Sequence, residues 1–374
     1  MSKLFNSISL RKLQLANRVV VSPMCQYSAI DGNAQPWHWV HLGQLAMSSA
    51  GMLMLEATAI EDIGRITPSC LGLYSNENAT ALEKTLKVIR GLNQDSHVPV
   101  CIQIAHAGRK GSSHEPWHGG QQIALNQGGW QAVAPSAIPH LAEEHPPRAL
   151  SISDMDALKT KFVEAVKTAD RLGLDAVEAH AAHGYLLHQF LSPLSNQRTD
   201  QYGGSLHNRM RYPLEIFSAM RAAWPDDKPM GIRISASDWD KASSWDIEEA
   251  CTFSRQCEEI GADWIDVSSG GVSSNQKIVL GPGYQLHFAE AIKQAVNVPV
   301  MAVGLITEPD QAEKIISEDQ ADMVALARAF LYNPRWVWHA AATLGATVTA
   351  PRQYWRSEPH DLRGLYGETE TGAR

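Results

Sequence analysis

The sequence predicts an α/β protein built as a single (β/α)8 TIM barrel, and three observations predict it. Eight short runs of apolar or β-branched residues recur along the 374-residue chain, each too continuously apolar for a half-exposed strand. Segments with helical spacing separate them, the alternation expected of parallel strands joined by crossovers. No G-x-G-x-x-G follows the first run, so the alternative, a doubly wound sheet, lacks its main support.

In chain order the runs are Arg18–Ser22, Met52–Ala57, Val98–Ile104, Asp175–Ala179, Met230–Ile234, Trp264–Val267, Val298–Val303 and Met323–Ala327. Crossover helices are expected over Glu77–Gly91, Asp154–Leu172, Asn208–Ala223, Asp246–Ile260 and Glu308–Ser317. Ser153 and Thr307, the latter followed two residues on by Pro309, stand as N-cap candidates. The connection from about 107 to 153 is too long for a bare loop. It carries Trp117, Gly119, Gly120, Gly128, Gly129, Trp130 and Pro135, and is expected to fold as a small cap over the strand ends. The barrel with this insertion then covers residues 1–345, and 346–374 form a tail. Within the tail, Pro351–Arg356 holds aromatic residues worth burying, and the end from Gly367 is expected to be mobile.

An apolar share of 44% with 19% charged residues describes a globular chain with ample core. The net charge of −8 speaks against nucleic acid or anionic membrane as a partner. No apolar run approaches the roughly 18 residues of a membrane span, and the N-terminal stretch lacks a signal peptide's apolar core. Five cysteines, Cys25, Cys70, Cys101, Cys251 and Cys257, form no C-x-x-C pair. The expectation is a reducing, cytoplasmic setting without iron–sulfur or structural zinc.

The chemistry concentrates between Asp175 and Arg211. An apolar strand there ends in His180, His183 and Tyr185, which would deliver two imidazoles and a phenol to the barrel mouth. The histidines, spaced i and i+3, either bind a metal, as in a barrel hydrolase, or polarise a carbonyl oxygen. No third and fourth metal ligands are evident. Tyr185, protonated at neutral pH, suits a proton donor. Arg233, inside the interior strand Gly231-Ile232-Arg233-Ile234-Ser235, needs an anion. Either a structural carboxylate such as Glu178 supplies it, or the arginine faces a flavin pyrimidine; Gln103 presents the same choice. Gly304 after the seventh run, Arg328 after the eighth and Ser268-Ser269-Gly270-Gly271 after the sixth either close tight turns or grip a phosphate.

The motif H-x-x-H-G-Y-L followed by N-x-R-T-D-x-Y-G-G-S-x-x-N-R, from His180 to Arg209, resembles the Old Yellow Enzyme family of FMN-dependent ene-reductases. The resemblance covers nearly the whole chain, including His106-Ala107-Gly108-Arg109 and Ala134-Pro135-Ser136. It is closest to the bacterial branch of thermophilic-like ene-reductases and xenobiotic reductases, which have a cysteine where Cys25 stands. It implies flavin contacts from Ser22, Pro23, Met24, Cys25, Ala57, Gln103, Arg233 and Gly271, and a phosphate grip from Gly304 and Arg328. It further implies a carbonyl held by His180 and His183, a proton from Tyr185, and a substrate pocket lined by Tyr27. Cys25 would tune the flavin or simply pack. Arg356 would reach a neighbouring subunit's pocket in a homodimer or tetramer, or pack on its own barrel. The implied activity is reduction of an enone-type C=C bond, with FMN as cofactor and NADPH or NADH as transient hydride donor. Two departures stand out: Ala327 replaces a glycine before the arginine, and Val303 takes a position where some xenobiotic reductases have tryptophan, leaving a roomier pocket.

Overall fold

The computed structural model describes residues 2–92 and 98–369. Its centre is a closed barrel of eight parallel strands. They are β1 Val19–Val21, β2 Met52–Ala59, β3 Val100–Ala105, β4 Ala176–Ala181, β5 Met230–Ser235, β6 Trp264–Ser268, β7 Val300–Val303 and β8 Met323–Leu326. Each pairs with its successor, and β8 returns to β1 with Val324 beside Val19 and Leu326 beside Val21. No edge is left open. Every expected run is therefore a strand, with its ends shifted by at most two residues.

The helices lie outside: α1 Pro36–Ala46, α2 Asn76–Leu92, α3 Ile152–Arg171, α4 Leu186–Leu191, α5 Leu206–Ala223, α6 Ile247–Ile260, α7 Leu286–Lys293, α8 Pro309–Ser317, α9 Arg328–Tyr332 and α10 Trp336–Leu344. Two expected N-caps are corrected. Ser151, not Ser153, caps α3, because Ser151 accepts from the Asp154 amide while Asp154 accepts from the Ser151 amide. Glu308, not Thr307, precedes α8, because Pro309 occupies the first helical position.

Side chains alternate along each strand, so every second residue faces the lumen. A two-stranded hairpin, Ile8–Leu10 with Leu13–Leu15, plugs the lower end. Its Leu10 and Leu15 join Val20, Met52, Cys101, Ala176, Trp264, Met301 and Met323 in one buried cluster. Gly231 is required there: a Cβ on it would come within 2.0 Å of the Trp264 ring. The outward residues pack against the helices, which contribute the fully buried Phe162, Phe217 and Phe253. Burying each such ring contributes about 1.5–3 kcal/mol.

The insertion holds three short 3-10 turns and a two-stranded ladder, Val133–Ala134 with Arg148–Ala149. Trp130 Nε1 fastens it to the Ile63 carbonyl at 2.9 Å, and Arg198 Nη1 donates to Pro135 at 3.0 Å and Leu150 at 2.6 Å. The tail folds back on its own chain: Trp338 packs edge-on against Tyr354 and Tyr366. Of the end expected to be mobile, residues 370–374 lie outside the described residues, and Tyr366 just before it is buried.

Candidate active site

Above the apolar plug the lumen turns polar. Gln103, Glu178, Arg233 and Asp266 occupy neighbouring inward positions on β3, β4, β5 and β6, and all are buried. Gln103 Nε2 donates to Glu178 Oε1 at 2.8 Å, and Trp264 Nε1 to Oε2 at 3.0 Å. Arg233 Nε lies 3.3 Å from Asp266 Oδ2, and Nη1 donates to Ser22 Oγ at 3.1 Å. Glu178 as the arginine's structural partner is thus corrected: β6 supplies Asp266, while Glu178 is engaged by Gln103 and Trp264. Burial raises both carboxyls above their usual range; Asp266 adds to the rise at Glu178, and Arg233 opposes it at each. Arg233 Nε and both Asp266 oxygens still lack a well-directed hydrogen bond. Buried donors and acceptors with capacity to spare suit a planar ligand edge presenting both.

At the rim, β4 ends and the chain turns through His183, φ 58°, and Gly184, φ 72°. A Cβ on Gly184 would meet the Gly271 carbonyl at 2.1 Å, so the β4 and β6 loops touch backbone to backbone. Lys110 Nζ clamps that contact, donating to the carbonyls of His183 at 2.9 Å and Gly271 at 3.0 Å. Arg109 Nη2 donates to Val272 at 2.6 Å beside it.

The turn gathers the three side chains singled out by the sequence. The His180 and His183 rings are 5.1 Å apart, and Tyr185 lies 5.1 Å from His180 and 6.5 Å from His183. His180 Nδ1 accepts from the Ala182 amide at 3.4 Å, and His183 Nε2 lies 2.7 Å from Ser268 Oγ. Burial first, then the charge of Arg233, pushes both imidazoles well below their usual acidity range, so both are neutral at pH 7. Burial raises the Tyr185 phenol, with smaller contributions from Cys25, Tyr27 and Cys70, which places those groups within electrostatic reach. Lys110 sits 5.1 Å from the Tyr185 ring centre, and burial with repulsion from Arg109 lowers its ammonium to about 8.

Ser22, Pro23, Met24, Cys25 and Tyr27 follow β1, and Tyr27 meets Trp117 of the insertion edge-on at 5.6 Å. A β-bulge between Leu55 and Thr58 contains Ala57, a device that re-aims side chains at barrel rims. Gly304 has φ 122°, and a Cβ on it would meet Gln285 Nε2 at 2.7 Å. Arg328 is exposed, and its charge reaches Tyr284, next to Gln285. Ala327 keeps φ at −109°, so its Cβ fits where a glycine was expected. Val303 is buried, and its carbonyl accepts from Gln285 Nε2 at 2.9 Å. Arg356 stands apart, exposed on the tail's 3-10 turn Arg352–Ser357.

Sequence reasoning missed Asp266, Gln285, Cys70 and Lys110, and it named Ser268 for a phosphate loop rather than as the partner of His183. Lys110 directly follows the His106–Arg109 motif, and Asp266 stands at an inward position of its strand, so both carried a readable signal. Among the described residues no group of three or more His, Cys, Asp or Glu could hold a metal ion, which leaves the hydrolase alternative without support. Among them, too, no helix is long and apolar enough to cross a membrane.

The unsatisfied arginine–aspartate pair, the amide of Gln103 and the positive-φ glycines of the β6 and β7 loops together fit FMN, which makes this barrel a flavin-dependent oxidoreductase. The chain belongs to the NADH:flavin oxidoreductase / NADH oxidase family, whose pattern matches residues 3–346, the FMN- and nicotinamide-using family of Old Yellow Enzyme type. It is 40% identical to a NADH:flavin oxidoreductase of Gibberella zeae over 94% of this chain and 88% of that one. It is 39% identical to an NADPH dehydrogenase of a Geobacillus species, covering 94% of this chain and 98% of the other. Among solved structures it resembles morphinone reductase, with a TM-score of 0.76 and 26% identity over 94% of this chain and 91% of that one. It also matches 2-naphthoyl-CoA reductase at a TM-score of 0.81, but spans only 52% of that chain at 24% identity, a likeness of fold.

Proposed function

We propose that the protein reduces the C=C bond of α,β-unsaturated carbonyl compounds and similarly activated alkenes. The reading is carried by the rim trio: two neutral imidazoles and one protonated phenol within 6.5 Å of each other above the flavin-fitting lumen. FMN, when bound, would supply the hydride for the β-carbon, with NADPH or NADH as its source. Gln103, Arg233, Ala57 and the Ser22–Cys25 segment would hold its ring, and Gly271, Gly304 and Arg328 its phosphate side.

His180 accepts the Ala182 amide at Nδ1, so its proton sits on Nε2. His183 Nε2 pairs with the Ser268 hydroxyl, and with that hydroxyl as donor the ring's proton sits on Nδ1. Two N–H donors then bind the carbonyl oxygen and stabilise the negative charge growing on it. Tyr185 gives its phenolic proton to the α-carbon. Tyr27 lines the pocket, and Arg356, exposed on the tail, completes the pocket of a neighbouring copy in a dimer or tetramer. The catalytic unit spans residues 1–345, the tail 346–374, and five free thiols suit a reducing, cytoplasmic setting.

Stopped-flow kinetics of Tyr185→Phe test the reading. Flavin reduction by NADPH stays intact, while reoxidation by cyclohexenone slows by about 10²–10⁴. Parallel collapse of both half-reactions would make Tyr185 structural and sink the assignment.

A further inference from the structure

His183 and Gly184 are the central residues of the turn from Ala182 to Tyr185, both at positive φ, and the Tyr185 amide closes it on the Ala182 carbonyl at 3.1 Å. Positive φ at both centres is the type I′ arrangement. A non-glycine residue such as His183 keeps it only where its surroundings hold it there. Those surroundings tie every peptide plane of the turn. The His183 amide donates to Ser235 Oγ at 2.9 Å. In the next plane Lys110 holds the His183 carbonyl, and the Gly184 amide donates to His188 Nδ1 at 2.9 Å. In the plane after that the Gly184 carbonyl accepts from Gln189 Nε2 at 2.7 Å, and the Tyr185 amide makes the closing bond. His188 and Gln189 come from α4, the helix that starts directly after Tyr185, and they reach back over its N-terminus. Both are fully buried.

His188 holds the central plane. Rotating the His183–Gly184 plane by half a turn converts type I′ into type II′, which favours glycine rather than histidine at the first centre. That plane joins the residue carrying one oxygen-binding imidazole to the residue before the proton donor, so its angle sets how His183 and Tyr185 face each other. The His188 ring is itself fixed. Because Nδ1 accepts an amide hydrogen, the ring hydrogen stands on Nε2, 3.0 Å from Asp238 Oδ1 in the loop after β5. These two atoms are not aligned for a hydrogen bond, so the contact is an attraction between the N–H edge and the carboxyl group. Asp238 Oδ2 in turn accepts from Ser192 Oγ at 2.6 Å.

We propose that His188 is a positioning residue for alkene reduction: by accepting the Gly184 amide it keeps the His183–Gly184 plane in the orientation that sets the His183 imidazole and the Tyr185 phenol to one substrate. The inference rests on the enone reading, in which those two side chains bind the oxygen and give the proton. His188 adds no chemistry of its own. A plane free to rotate leaves both groups present but misaimed, and small misplacements at a reacting centre cost large factors in rate.

Two variants of nearly equal shape test it, His188→Leu and His188→Asn, of which only the second carries an acceptor where Nδ1 stood. Both lose the edge that faces Asp238, so that loss cancels between them. Reoxidation of the reduced, FMN-loaded enzyme by cyclohexenone should be roughly 10–100-fold slower than wild type in His188→Leu and recover to within about threefold in His188→Asn. Thermal unfolding should rank the variants the other way, because a buried leucine is tolerated better than a buried amide. A residue that only packs would make rate follow stability. Deuterium exchange of the Gly184 amide, resolved by fragmenting the exchanged peptide, gives a reading that needs no substrate. It should be slow in wild type and His188→Asn, and roughly fivefold faster in His188→Leu. Equal reoxidation rates in the two variants, His188→Leu as fast as wild type, or rapid Gly184 exchange in the wild type would overturn the proposal; the last needs no variant to fold. A wild-type enzyme that NADPH reduces and cyclohexenone leaves reduced would overturn the enone reading and this role with it, so wild-type reoxidation tells the two failures apart.

Discussion

His183 Nε2 and Ser268 Oγ meet at 2.7 Å, joining the turn after β4 to the end of β6. This bond ties the ring tautomer of His183 to the orientation of the Ser268 hydroxyl. Ser268→Ala removes it and leaves a neutral ring free to change tautomer. In the proposed site a phenol-type ligand takes the carbonyl's place, and it should bind roughly fivefold more weakly, the equivalent of about 1 kcal/mol. Titration of the flavin absorbance with a substituted phenol measures this; unchanged affinity would separate Ser268 from the oxygen pocket.

Lys110 gives the site a pH dependence. Its ammonium, 5.1 Å from the Tyr185 ring centre, eases charge building on the phenol as the proton leaves. With the folded value lowered to about 8, the charge is present below that pH and lost above it. Reoxidation by an enone should therefore slow as pH rises through about 8, and Lys110→Met should be slow and flat across the same interval. The unfolded value is higher, about 10.4, so between the two the unfolded chain holds more protons and this group's contribution to stability rises with pH. A wild-type profile without a step near 8 would exclude Lys110 from the proton-transfer environment.

All eight strands were legible because a strand buried on both faces reads as an unbroken apolar run, whatever its neighbours. His180, His183 and Tyr185 were legible as a group because the end of β4 and the turn after it carry all three within six residues. The N-terminal hairpin was not: strands of three residues are too short to show a period. The partner of Arg233 was not legible for a different reason. Glu178 and Asp266 face inward on either side of β5, and alternation tells that both point to the lumen, not which lies closer. Cys70 and Lys110 reach the site by way of loops, whose course depends on tertiary contacts such as the Lys110 clamp on His183 and Gly271.

Asp266 is also the key to a test of the lumen. Arg233→Met leaves two buried carboxyls without their cation, which costs about 3–5 kcal/mol of stability and releases FMN. Replacing Asp266 by Leu in the same protein removes one of those carboxyls and should recover part of the lost stability, but not the flavin. Thermal unfolding and the fluorescence of released flavin read the two effects separately. Full FMN retention in Arg233→Met would reduce this arginine to a structural ion pair with Asp266.

Ring and phosphate can be told apart by the ligand itself. In the proposed site Gly304 and Arg328 face the phosphate, so their substitution should affect FMN and leave riboflavin, which lacks the phosphate, unchanged. Arg328→Met loses a charge-assisted bond of about 1.5–3 kcal/mol, a roughly tenfold to hundredfold weaker FMN. Gly304→Ala acts by another route: at φ 122° a Cβ is strained by about 1–3 kcal/mol and meets Gln285 Nε2 at 2.7 Å. Displacing Gln285 disturbs its bonds to the Val303 carbonyl and Ser269, so the β6 and β7 loops shift together. Calorimetric titration of the flavin-free protein with both ligands measures these losses. Equal weakening of FMN and riboflavin by Arg328→Met would move the phosphate away from that arginine and towards the amides of the β6 and β7 loops.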